Sequence, residues 1–320
     1  MKVGLYSITY LGLWYRGEAL SLPAMIGRAK QYGYDGIEID GKRPHGNPLD
    51  WPASRCRELR SLADGEGIEI FGVAANNDFS NPVPEVREAQ ICFVRDLIRM
   101  TSDLGASTLR VFLAWWGVTR HPKLATYDIA EGLWPIVHER FSREEIWGWC
   151  RDALVECARY AGDAGVTLAL QNHPPIIRDH HDVLQMVEEV GSPHLRVCLD
   201  APLMPDKSPV AIGQAARDVG PLQVLSHFGG EFEQRPDGTI RGFDRIDGVV
   251  RGDTNQYYRD FIRAMRDIGY AGYLSYELCH QLPVVQGETV DIEYAHQNAR
   301  LAARFMRDLI ESQHVPASTR

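Results

Sequence analysis

Residues 165–173 read GVTLALQNH: a glycine, a short apolar run over Val166–Gln171, and then the polar group Gln171-Asn172-His173. Ahead of it, Arg143–Ala164 carries helix-period apolar residues, opened by Ser142 and Glu145 in capping-box spacing. A helical stretch that stops at a glycine and hands over to a short apolar run is one strand–helix unit, with the glycine placed for a left-handed cap. The same unit recurs on both sides. Apolar runs appear at Val3–Ile8, Gly36–Ile39, Ile68–Val73, Thr108–Ala114, Leu195–Asp200, Val224–His227 and Tyr273–Glu277, with amphipathic stretches such as Pro84–Leu104 between them. Alternation of this kind implies parallel strands joined by helical crossovers.

The predicted fold class is therefore α/β, a single (β/α)8 barrel over residues 1–320 with a polar C-terminal tail from about residue 312. A doubly wound open sheet is the competing architecture, but neither a GxGxxG after an early strand nor a Walker-type glycine loop is present. No Pro/Ser-rich linker divides the chain. Two insertions, Trp115–Phe141 after the fourth strand and Gly229–Asp253 after the seventh, follow strand C-termini, where barrels of this kind build their sites.

The balance of 43 acidic against 34 basic residues gives a net charge of -9, which repels phosphate backbones and anionic membrane surfaces. Nucleic acid and membrane are excluded as main partners, and a small molecule fits better. The 6 cysteines contain no CxxC pair and sit mostly in apolar runs, as reduced thiols do. The opening MKVGLYSITY lacks the apolar core of a signal peptide, and no run reaches membrane-spanning length, so a soluble, cytoplasmic protein is expected.

In such a barrel the chemistry belongs to the strand ends. Strand five ends at Gln171-Asn172-His173, strand six at Asp200, strand seven at His227 and strand eight at Glu277. Carboxylates, an imidazole and an amide oxygen at one level form an oxygen-rich set that suits Mn²⁺ best, with Mg²⁺, Co²⁺ or Zn²⁺ as alternatives. Strand ends that merely cap helices are the plain alternative for any one of them. Trp115 and Trp116, directly at a strand end, are candidate substrate-stacking residues, whereas Trp147 and Trp149 are expected to pack a helix. His138 and Glu139 are expected in a solvated loop, with lid contacts as the alternative.

The motifs LALQNH, VCLD, LSHFGG and YLSYELCH, in this order, resemble the xylose-isomerase-like barrel superfamily of sugar phosphate isomerases and epimerases. The resemblance covers almost the whole chain and implies a divalent cation held by Gln171, Asp200, His227 and Glu277. Where the superfamily has Glu on strand five, this chain has Gln171, which accepts through its oxygen but is never a base. The two-carboxylate proton shuttle of the epimerases is thus incomplete. His173, two residues on, projects to the same face and is the candidate base, with a helix-capping or loop histidine as the alternative. Endonuclease relatives carry a histidine-rich trinuclear zinc set, but Asp200 is followed here by Ala201-Pro202-Leu203.

Segments GLYSITYLGLWYRG, Gly41–Trp51 (GKRPHGNPLDW) and QNH further resemble the large metal-binding subunit of bacterial C-glycoside deglycosidases. That resemblance implies a lyase-type reaction cleaving the sugar–aglycone carbon–carbon bond of 3-oxo-C-glycosides. It also implies a small β-rich partner subunit in a hetero-oligomer. His45 and Asn47, with Lys42 and Arg43, would then contact sugar hydroxyls, or form a proline-ordered surface loop. A ketose isomerase or epimerase using His173, and a non-catalytic sugar-binding protein with a degenerate metal site, are the other two readings.

Overall fold

The computed structural model describes residues 1–120, 125–246 and 249–312. Its strands are β1 (Lys2–Tyr6), β2 (Gly36–Asp40), β3 (Glu69–Ala74), β4 (Thr108–Val111), β5 (Thr167–Gln171), β6 (Leu195–Cys198), β7 (Gln223–Gly229) and β8 (Tyr273–Glu277). Each pairs in parallel with the next, and β1 pairs with β8 from Lys2↔Tyr273 to Leu5↔Tyr276, which closes the barrel. The helices are α1 (Leu22–Tyr32), α2 (Ala53–Glu66), α3 (Pro84–Asp103), α4 (Asp128–His138), α5 (Arg143–Ala164), α6 (His180–Val190), α7 (Pro209–Val219), α8 (Asn255–Asp267) and α9 (Ile292–Ser312).

The capping box is formed: Ser142 Oγ accepts from Glu145 N and the Glu145 carboxylate accepts from Ser142 N. At the other end of α5, Gly165 takes φ +67° and ψ +27°, a conformation that a Cβ disfavours, and β5 begins two residues later. Outward-facing strand residues such as Leu109, Val111, Leu168 and Leu170 join the main core under the helices. Inside the barrel, Phe71, Ala169, Cys198, Leu225 and Tyr273 form a second cluster, with Phe71 and Tyr273 stacked at 3.8 Å. Gly4 leaves room for it, since a Cβ there would lie 2.5 Å from the Phe71 ring.

Several strand ends differ from the sequence expectation, and at β4 and β6 a side chain takes over the next backbone donor. β4 stops at Val111 rather than Ala114, because the Phe112 amide donates to Asn77 Oδ1. β6 stops at Cys198, because Leu199 and Asp200 donate to Gln223 Oε1 and Asn172 Oδ1. β1 gives way at Ser7 to a 3-10 turn, and Ser7 Oγ accepts from the Asp40 amide.

The first insertion carries a two-stranded pairing of Thr119–Arg120 with Ala125–Thr126 and then α4. The second folds into an antiparallel sheet of Glu231–Gln234, Ile240–Ile246 and Val249–Arg251. Residues 121–124 and 247–248 of these insertions, and the expected tail after Ser312, lie outside the described residues. No helix among the described residues is long and apolar enough to cross a membrane.

Candidate active site

Above the apolar plug, inward-facing polar residues of β1, β2, β4, β5, β7 and β8 meet, with Asp200 just past β6. His227 on β7 lies between two carboxylates: Nε2 is 2.8 Å from Glu38 Oε2 on β2, and Nδ1 is 3.0 Å from Asp200 Oδ2 just past β6. The backbone amide of His227 also donates to Asp200 Oδ1 at 2.7 Å, and Ser275 Oγ donates to Glu38 Oε2 at 2.8 Å. All four side chains are buried. Burial works against charge here, but Glu38 and Asp200 outweigh it and raise the His227 pKa well above its ordinary value. Cys198, Asp200 and His227 present ligand atoms within 4.8 Å of one another, a grouping that could hold a metal ion.

Arg110 projects inward from β4. Its Nη1 donates to Gln171 Oε1 and its Nη2 to the Tyr6 hydroxyl, each at 2.8 Å, and Tyr6 in turn donates to Asp40 Oδ2 at 2.7 Å. The Gln171 amide nitrogen therefore faces inward, donating to Asp200 Oδ2 and lying 3.4 Å from His227 Nδ1. A flipped amide would set two donors against each other at Arg110.

Tyr6, Arg110 and Gln171, which touch or neighbour this cluster, also line a cavity of about 210 Å³. Tyr6, Arg110, Gln171, His173 and Glu277 line its polar side, and Phe112, Trp115, Trp116 and Tyr127 its aromatic side. The His173 ring meets Phe112, Trp115 and Trp116 edge-on at 4.9, 5.1 and 5.6 Å. Its Nδ1 lies 2.5 Å from the Pro174 carbonyl, which only accepts, so Nδ1 carries the proton and Nε2 keeps a lone pair. Burial lowers the His173 pKa to about 4 and raises that of Glu277. α4 roofs the cavity through Glu131. It is tied down at one end by Tyr127, whose hydroxyl donates to Cys279 O, and at the other by His138 Nε2 at Ser80 O.

A family model described as the xylose isomerase-like TIM barrel matches residues 26–309. The chain belongs to that family. Fructoselysine 3-epimerase of Shigella flexneri is similar, 23% identical over 297 residues that cover 87% of this chain and 90% of that protein. Among solved structures, D-psicose 3-epimerase of Clostridium cellulolyticum H10 superposes with a TM-score of 0.70 at 20% identity, over 97% of this chain and 99% of the other. The 3-keto-D-glucoside 4-epimerase of E. coli gives 0.66 at 17% identity, over 96% and 99%.

Within this xylose isomerase-like barrel the expected site residues divide. Gln171, Asp200 and His227 come together, and Glu277, Trp115, Trp116 and His173 line the cavity above them. Gln171 presents a donor rather than the expected ligand oxygen, because Arg110 holds that oxygen. His45 and Asn47 do not reach this cavity. His45 lines a separate one with Leu20 and Trp51, its Nε2 on Leu20 O, and the Asn47 side chain accepts from Leu49 N to cap a 3-10 turn. Lys42 is the member of that loop that lines the barrel cavity. His138 is buried and stacked on Trp134 rather than solvated, while Trp147 and Trp149 pack around α5. Two residues escaped the sequence reading, Glu38 and Arg110, and Asn172, named only as part of a strand end, proves to pin Asp200 through both the N–H and the C=O of its side-chain amide. The available signal was a charged residue between apolar neighbours, as Glu38 in GIEID and Arg110 in TLRVF.

Proposed function

We propose that this chain is a metal-assisted enzyme that moves a proton on the carbon beside a sugar carbonyl, an isomerase or epimerase reaction. The observation that carries the reading is the pairing of His173 and Glu277 in one cavity, displaced in opposite directions by burial. A histidine with its pKa lowered is a neutral base at pH 7, and a carboxyl with its pKa raised is readier to hold a proton. Two groups pushed apart in this way divide into acid and base. The epimerase names of the similar proteins support the same class.

The donor set fits a divalent cation. Glu38 holds His227 Nε2, and Nδ1 then turns toward Asp200, the arrangement in which a carboxylate orients a metal-binding histidine. Asp200 and His227 would hold the ion, with Glu277 the further carboxylate above them. Bound there, the cation would polarise the substrate carbonyl and acidify the neighbouring carbon. His173 Nε2 accepts the proton from that carbon. Glu277 returns one, or supplies it to the carbonyl oxygen. Trp115, Trp116 and Phe112 keep water from the reacting face and give the ring a surface to stack on.

A second reading is the carbon–carbon lyase acting on 3-oxo-C-glycosides. Gln171 favours it, since only one carboxylate of the epimerase pair is present and elimination needs one base. The face formed by Ile129, Leu133, Ile136 and Val137 on α4 is exposed beside the mouth and supports a small partner subunit in that reading. One experiment separates the two. Protein loaded with Mn²⁺ is incubated in D₂O with D-fructose, with a 3-oxo-glucoside and with a 3-oxo-C-glycoside. Deuterium at the carbon beside the carbonyl with an intact glycoside is the expected result. Release of free aglycone would establish the lyase instead, and absence of both deuterium and aglycone would refute both readings.

A further inference from the structure

Arg110 is 4% exposed and lines the cavity. Buried guanidinium groups are ordinarily matched by carboxylates, because an unmatched charge in a dry site is costly. Arg110 has no such match in contact: Glu38 and Glu277 support its charge only through space. Its two hydrogen-bond partners, Gln171 Oε1 and the Tyr6 hydroxyl, are neutral, and its Nε is buried without a partner. No carboxylate among the described residues stands within ion-pair distance of it. The guanidinium carbon lies 4.3 Å from the Phe112 ring centroid, which fixes its plane on the cavity wall. A carboxylate at position 171 would neutralise it in place. Gln171 leaves the charge available.

We infer that Arg110 is the anion-binding group of this cavity and receives a negatively charged oxygen of the ligand, which in the proposed reaction is the enolate oxygen. The inference rests on that reaction only for the identity of the oxygen. When the base takes the proton from carbon, the C–H electron pair becomes the C=C bond and the carbonyl pair moves onto oxygen. The guanidinium then donates hydrogen bonds to that oxygen, and no bond to the protein forms. Reprotonation at carbon restores the carbonyl. A permanent anion on the substrate, a carboxylate or a phosphate, would use the same group.

The test uses oxalate, a planar dianion that mimics the enolate, and its neutral isostere oxamide, titrated by calorimetry into preparations of equal metal content. Arg110→Gln should bind oxalate roughly 10–100-fold more weakly, the range for a hydrogen bond to a charged group, with oxamide unchanged. Gln171→Glu keeps both partners of Arg110 and guards against a folding defect. It should weaken oxalate in the same direction by pairing the guanidinium. Equal oxalate affinity in wild type and both variants would overturn the inference. Deuterium exchange into a neutral ketose should fall in kcat with little change in KM for Arg110→Gln, and recover in part with free guanidinium. Retained exchange alongside lost oxalate affinity would overturn the enolate assignment. If the wild type catalyses no exchange, the proposed reaction fails, yet the oxalate comparison still decides the anion site. Binding of a phosphorylated or carboxylated sugar over its neutral parent, by the wild type alone, would identify a permanent anion as the source.

Discussion

The Nε2 atom of His227 and the Oε2 atom of Glu38 are 2.8 Å apart although 189 residues separate them, and this contact fixes which nitrogen of the imidazole faces Asp200. Replacing Glu38 with Gln keeps the shape but removes the charge that orients the ring. Metal affinity should drop by roughly 10–100-fold, as it does when a partner behind a ligating histidine is lost. A metal titration of Glu38→Gln, with far-ultraviolet circular dichroism to confirm the fold, checks this.

Asp200→Ala and His227→Ala should each abolish metal binding, since one member of a small ligand set is lost. Gln171→Ala should retain most of it, because the amide turns its nitrogen toward the cluster. Metal content after dialysis compares the variants. Full loss in Gln171→Ala would show that the amide turns over when an ion binds.

His173→Gln should keep the metal and the fold but lower turnover by roughly 10²–10⁴-fold, the contribution of a positioned general base. The readout is the rate of solvent deuterium entering the substrate. Undiminished exchange would remove His173 from the reaction.

Acid sensitivity should trace to Glu231. Its carboxylate is buried against Arg245 at 2.6 Å, His280 at 3.2 Å and the Tyr294 hydroxyl. Burial alone would raise its pKa, but these partners bring it down to about 2. A carboxyl whose pKa falls on folding stabilises the native state above its unfolded value, and that gain disappears as pH drops toward the folded value. Stability worth roughly 3 kcal/mol should therefore be lost between about pH 5 and pH 2. Denaturant unfolding of wild type and Glu231→Gln across that range checks it: the variant should be weaker at pH 7 and show a flatter acid limb.

His45→Ala should leave turnover unchanged and reduce stability by about 1–3 kcal/mol, since His45 is buried on Leu20 O outside the barrel cavity. A large rise in KM would return His45 to the substrate.

The barrel was legible because glycine caps and apolar runs carry the repeat locally, as at Gly165 and Val166–Gln171. The cluster was legible in Asp200 and His227 because strand ends converge in any closed barrel. Glu38 and Arg110 were not, for a physical reason. Barrel strands are buried on both faces, so Ile37 and Ile39 beside Glu38 give no contrast that tells inside from outside. The displacement of His45 and Asn47 depended on how the loop after β2 folds back onto Leu20, a long-range contact with no periodic trace.

The two tethers of α4 also bear on how this protein can diversify. The helix hangs across the mouth from Cys279 and Ser80, and it supplies no member of the Asp200–His227–Glu38 cluster. Substitutions along it can reshape the entrance while the buried cluster beneath stays constant. Libraries confined to residues 128–133, which leave the His138 tether and Trp134 in place, should thus shift substrate preference without raising the proportion of misfolded clones. A library at Glu38, Arg110 and Asn172 should chiefly yield inactive protein.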